Sequence, residues 1–273
     1  GTAVVLRPDS LQRNGDRAVR VALGDAVQPD HGLFGSVHGV VHVGAVLAVA
    51  GSQDCLVRNE WVCPAYVETR AGLIGEALRE HVYITVTSLV AGFLVAFVLA
   101  LTARRWRVLS GPVQGVSTVL YTVPSLALFV LLLAVTGLSA TTVIVGLVLY
   151  SLTILVRGII VGLDGVPADV RESAVGMGYG PVKLLLRVEL PLALPAIVAS
   201  LRVAAVSTVA LTTVGFVVGH GGLGNLIFQG LRSNFRAEVL TAAVLCVVLA
   251  LLADVLLVVA QRALTPWRRT VVA

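Results

Sequence analysis

Long apolar runs alternate with short polar islands along most of this chain. From residue 82 onward the runs fall at about 82–102, 113–135, 140–163, 196–218 and 238–261. Each is near the roughly 20 residues a helix needs to cross a bilayer. The apolar residues are continuous rather than alternating, which predicts helices and not a membrane β-barrel. The pattern reads as an all-α, polytopic membrane protein with five core transmembrane helices in one domain, residues 81–265. Residues 33–50 are apolar but short and glycine-rich, and read as either an extra N-terminal membrane helix or a signal-like segment. Residues 1–32 read as a polar, disordered extension, 51–80 as an outward-facing polar segment and 266–273 as a cytoplasmic tail.

Two places interrupt this pattern. The second run contains Tyr121-Thr-Val-Pro-Ser125. Pro124 removes a backbone donor in mid-helix and predicts a kink. A kink beside Tyr121, Thr122 and Ser125 suits either a pathway lining or a packing bend, since irregular backbone in a membrane is tolerated next to protein or water. The second interruption is the polar, glycine-punctuated island between the third and fourth runs, residues 164–191. Pro167 suits a helix start. Val170, Ala174 and Met177 fall at i, i+4 and i+7 and predict one apolar stripe. Gly178 suits the position after a helix, where positive φ is needed, and Gly180-Pro181 suits a second short helix. The island therefore reads as two short helices around a glycine elbow, which need a groove to lie in. The fourth run is expected to begin after Pro195.

Composition agrees with a membrane location: 57% of residues are hydrophobic and 13% charged, against about 25% charged in soluble domains. The net charge of +5 comes from arginine, Lys183 being the single lysine. Arg104, Arg105 and Arg107, the arginines of the 164–191 island, and Arg262, Arg268 and Arg269 fall on one side if all five runs cross. Positive charge marks that side as cytoplasmic. Arg157 is expected to snorkel to that face. Asp254 is the one acid within a run and is expensive there unless paired; Arg202, at similar depth, is the expected partner. Cys55 and Cys63 flank a short polar segment and are free to pair if that segment faces an oxidising compartment. His38 and His42 stand at i, i+4, a spacing metal ligands use, but no third ligand is nearby.

The residues Glu172, Ser173-Ala174, Gly178, Val188 and Leu190-Pro191 keep the spacing E-A-A-x3-G-x9-I-x-L-P. Ser173 replaces an alanine and Val188 the isoleucine. This resembles the cytoplasmic loop of ABC importer permease subunits. Tyr121 to Phe129 and the stretch Gly219-His-Gly-Gly-Leu-Gly-Asn-Leu-Ile-Phe-Gln-Gly230 are similar to segments of the osmoprotectant branch, the glycine betaine/carnitine/choline permeases. The resemblance covers about residues 55–265. It implies a type I importer-like bundle in the bacterial inner membrane. Val170, Glu172, Ser173, Ala174, Met177, Gly178, Leu190 and Pro191 would meet a separate ABC ATPase subunit. A second permease subunit, identical or not, would complete the pathway, and an extracytoplasmic solute-binding protein would deliver the solute. Tyr121, Pro124, Ser125, Phe216, Gly221, Gly222, Gly224 and Phe228 are pathway candidates.

Gly219 to Gly224 also fits G-x-G-x-x-G, but it follows an apolar run rather than a strand, which argues against a dinucleotide site. No G-x4-G-K-[ST] occurs, so no catalytic residue, metal or cofactor is expected on this chain and ATP is expected on the partner. The same importer role with another cargo, such as an amino acid, sulfonate or nitrate, stays open. A stand-alone channel or carrier, or an intramembrane enzyme, would call for clustered intramembrane polar groups or an internal repeat, and neither is evident.

Overall fold

The computed structural model describes residues 55–265, with the side chain of Arg107 left aside. The readings of 1–32, 33–50, 266–273 and the His38/His42 pair lie outside these residues. The described residues form helices and no strand. In chain order these are α1 (Pro64–Thr69), α2 (Ala71–Arg105), α3 (Arg107–Thr122), α4 (Ser125–Thr136), α5 (Ala140–Asp164), α6 (Ala168–Gly176), α7 (Pro181–Leu184), α8 (Leu190–Thr212), α9 (Leu223–Arg232) and α10 (Arg236–Leu264). Four continuous helical stretches are long and apolar enough to cross a membrane: α2, α5, α7 through Val218, and α10.

The second run is more than kinked. It divides into α3 and α4, bent by 102° at Val123-Pro124. Val123 is extended at φ −66°, ψ 129°, because the ring of the following proline disfavours the helical region for it. The Tyr150 hydroxyl donates to the carbonyl of Val123, so a neighbouring helix serves the backbone group that the break releases. Pro195 likewise departs from expectation. It lies inside α8, which starts at Leu190 and continues the helical stretch from Pro181, so the donors that Pro191 and Pro195 lack are missing within a helix.

The core is a row of helices packed through small residues. α2 lies against α5, and α5 against α8, around Ala96, Ala100, Leu155, Val156, Ile159, Leu163 and Ala193. Gly92 faces Ser151, and Gly158 faces Ser200 so closely that a methyl group would not fit. In a bilayer, where no hydrophobic force drives helices together, such close approach supplies the packing. α10 packs on α8 and α9, and leaves Val247, Leu251, Val255 and Val259 exposed on its far side, as a lipid-facing helix would.

Contacts sort the two ends of the bundle. Arg104, Asp164, Arg171 and Glu189 meet at one end, where Gln261 of α10 also donates to the carbonyl of Pro195. Asn59, Asn234 and Arg236 meet at the other, as do Glu80 and His220. The first end carries the arginine-rich segments, so the charge rule makes it cytoplasmic. In the membrane-spanning region, Arg202 and Asp254 form a two-pronged ion pair, Nε to Oδ1 at 2.8 Å and Nη2 to Oδ2 at 2.9 Å, joining α8 to α10. Arg157 is exposed.

Candidate functional site: the cytoplasmic hook and the outer elbow

The island after α5 folds as expected into a short helix and a glycine elbow, but the second short helix expected from Pro181 is the first turn of the continuous stretch that runs to Val218. Pro167 precedes α6 as its cap, and α6 ends at Gly176. Gly178 follows at φ +81°, a left-handed geometry that glycine adopts without steric cost. Here the amide of Gly178 donates to the Val175 carbonyl, and that of Tyr179 to Ala174. Lys183 Nζ stands 4.2 Å from the centre of the Tyr179 ring and braces the far side of the elbow.

The expected apolar stripe divides. Ala174 is 2% exposed and turned onto its own chain, Val170 is half-buried and Met177 is 70% exposed. The helix ends before Met177, whose non-helical backbone carries it off the stripe. The outward apolar set is instead Val175, Met177, Val182 and Leu186. Glu172 and Ser173 are exposed beside it. Leu190 and Pro191 are half-buried where the hook enters α8.

A feature absent from the sequence reading lies beneath the hook. Leu185–Glu189 forms a π-turn, with the amide of Leu190 donating to the Leu185 carbonyl. Pro191 has no amide to give to Arg187, so the ordinary ladder is already broken where the extra residue is inserted. The turn directs Glu189 inward, where its side chain is 7% exposed. Arg104 grips it at both oxygens, each at 2.7 Å. Arg171 Nε reaches Oε1 at 2.8 Å, and Arg171 Nη2 donates to the Leu163 carbonyl at 2.5 Å. Asp164 stands 3.4 Å from Arg104 Nε. One signal for this cluster was present: an acid between Val188 and Leu190-Pro191. Nothing in the spacing indicated partners 85 and 18 residues away.

At the outer end, Gly221, Gly222 and Gly224 are buried. A methyl group on Gly222 would lie 2.6–2.7 Å from Cβ and backbone atoms of His81, and one on Gly221 2.6 Å from the amide nitrogen of Phe216. Gly224 presses on the Thr213 backbone. These glycines therefore bring α9 against the ends of α2 and α8 and present no surface of their own; the pathway expectation for them becomes one of shape. Asn225 fixes the elbow, accepting from the Gly221 amide at 3.1 Å and donating to the Gly219 carbonyl at 3.0 Å. Phe216 and Phe228, brought together by this fold, stack at 4.3 Å with an interplanar angle of 19°. Phe228 is partly exposed, with the Arg232 guanidinium 5.5 Å from its ring centre. Tyr121 and Pro124 are exposed at the break between α3 and α4, Ser125 is half-buried, and Tyr121 meets Tyr150 edge-on at 6.0 Å.

The segment before α2 is stapled by a disulfide between Cys55 and Cys63. Asn59 in the closed loop donates to the Asn234 carbonyl at 2.6 Å and accepts from the Arg236 amide at 2.9 Å. That caps α10 and holds the turn between α9 and α10. Tyr66, buried beneath, is pushed up to about 12 by burial first and by the Glu238 charge next, so its hydroxyl stays neutral. Among the described residues no group of three or more His, Cys, Asp or Glu is placed to hold a metal.

An apolar helical bundle with a hook at its arginine-rich end is the architecture of a membrane-embedded protein. The chain belongs to the binding-protein-dependent transport system inner membrane component family, whose pattern it matches over residues 88–270. It is 35% identical over 205 residues to the glycine betaine/carnitine/choline transport system permease protein OpuCD of Bacillus subtilis (strain 168), covering 75% of this chain and 90% of that protein. It is 38% identical over 188 residues to the choline transport system permease protein OpuBD of the same organism, covering 68% and 80%. With the carnitine transport permease protein OpuCD of Listeria monocytogenes it shares 32% over 202 residues, covering 74% and 91%. The fold is that of the inward-facing MetNI methionine ABC transporter, with a TM-score of 0.64 at 23% identity over 72% of this chain and 99% of that one. The protein is thus an integral-membrane permease subunit of the ABC importer type.

Proposed function

We propose that this permease imports an osmoprotectant of the glycine betaine, carnitine or choline class, driven by ATP hydrolysis on a separate subunit. The observation that carries the cargo class is the likeness, across three quarters of the chain, to permeases named for those solutes. Two permease subunits would enclose the pathway, and a solute-binding protein would deliver cargo at the outer end. An ATPase would grip the hook at Val175, Met177, Val182 and Leu186, with Glu172 and Ser173 at the edge of its groove; Gly178 would set the angle between α6 and the helix that starts at Pro181. Closure of the ATPases would move the hooks, and the helices rooted in them would turn the pathway from one side to the other. The outer aromatic groups suit a quaternary ammonium cargo, since a cation over an aromatic face gains roughly 0.5–2 kcal/mol. Phe228, partly exposed and stacked on Phe216, is the favoured contact in this chain.

Uptake decides the cargo. Cells lacking their own osmoprotectant importers, supplied with this permease and its ATPase and binding-protein partners, should accumulate labelled glycine betaine, carnitine or choline at high osmolarity. Uptake of amino acids, sulfonates or nitrate in their place would overturn the assignment.

A further inference from the structure

The four charges beneath the hook do more than neutralise one another, and we infer that Glu189 is a positioning residue for coupling, the joint that makes hook and bundle move as one piece. This inference rests on the importer reading above.

Three observations carry it. Glu189 is buried, yet both its oxygens are occupied, and the donors come from different elements. Arg104 ends α2, and Arg171 lies in α6 of the hook itself. Arg171 also holds the last turn of α5 through the Leu163 carbonyl, and Asp164 at that end faces Arg104. The carboxylate therefore sits where α2, α5, α6 and α8 converge. Its backbone belongs to the π-turn, a local insertion that turns the side chain inward. Such turns occur often at functional sites.

Two arginines balance two acids, so the cluster has no excess charge with which to hold an anion or a cation. Its geometry suits a joint. Without it, α6 is attached to the bundle through the chain on either side and through its packing on α7 and the π-turn. A push on α6 would then bend the hook before it moved α2. With the joint intact, the same push reaches the roots of α2, α5 and α8 together.

The test uses the permease reconstituted with its ATPase and binding protein in liposomes, reading solute imported per ATP hydrolysed. Glu189→Gln keeps the shape and removes the charge. The expected result is retained ATPase association, continuing ATP hydrolysis and a fall of roughly tenfold or more in solute per ATP, as befits breaking a buried charge network. Arg171→Gln releases only the hook and leaves the Arg104–Glu189 pair intact. It should lower the same ratio by a smaller factor, and it keeps the test open should Glu189→Gln fail to reach the membrane. An unchanged ratio in Arg171→Gln would overturn the inference, as would parallel loss of ATPase association, hydrolysis and uptake in either variant. Absence of ATP-driven uptake by the unsubstituted complex would instead overturn the importer reading, and this inference with it.

Discussion

Single residues carry the shape of both functional ends. Gly178 holds φ +81° with open space around it, so the obstacle to a larger residue there is backbone strain alone. Gly178→Ala should cost roughly 1–2 kcal/mol of elbow geometry. Co-purification with the ATPase should weaken while the melting temperature of the permease itself barely moves. Gly222 is the opposite case, because its φ is +54° and a methyl group would meet His81 directly. Gly222→Ala should lower the melting temperature of the isolated permease and reduce its yield in the membrane. Phe228→Ala tests the cargo contact: KM for the solute should rise several-fold with ATPase association unchanged, and an unchanged KM would remove Phe228 from the pathway. The glycines were visible as a motif in the sequence. That they pack so closely was not, because the partners, His81 and Thr213, come from other segments.

At the scale of elements, the sequence laid out the spans well and their breaks less well. Apolar run length located α2, α5, α8 and α10, since lipid demands it. The Arg202–Asp254 pair followed from the cost of a lone intramembrane charge. Pro124 was read as a bend, whereas the structure opens a 102° break there because Tyr150 replaces the lost backbone partner; a proline cannot announce which neighbour will do so. The stripe of the hook failed at Met177 because a helix end, not a period, decided its direction. Two element-level predictions follow from these joints. Asp254→Ala leaves Arg202 unpaired and should destabilise the bundle, while the double change Asp254→Leu with Arg202→Met should recover most of the loss in a thermal melt. Reducing the Cys55–Cys63 bridge, with its sequence separation of 8, should cost about 2–3 kcal/mol of stability in the outer cap. Hydrogen exchange should then rise at the start of α10, where Asn59 caps Arg236, and leave the hook unaffected.

The described residues are organised as two ends joined by closely packed helices. The cytoplasmic hook exposes Val175, Met177, Val182 and Leu186 and is rooted through Glu189 in the bundle. The outer elbow places Phe216 on Phe228, and a disulfide-closed cap holds the turn between α9 and α10. The hook was legible from spacing, Glu172 to Pro191, together with the arginine pattern that gives it a side of the membrane. Its root was not legible, because ion pairs across 85 residues leave no local period. The central claim is that a push on the hook, powered elsewhere by ATP, moves an osmoprotectant across the bundle. The most direct measurement is uptake of labelled glycine betaine, carnitine and choline into proteoliposomes holding the permease with its ATPase and binding protein, with ATP or ADP on the hook side. The account predicts uptake of at least one of these solutes with ATP and none above background with ADP, lost on changing Glu172 to Arg and Met177 to Asp together. Uptake that proceeds equally with ADP, or that survives those changes, would contradict it.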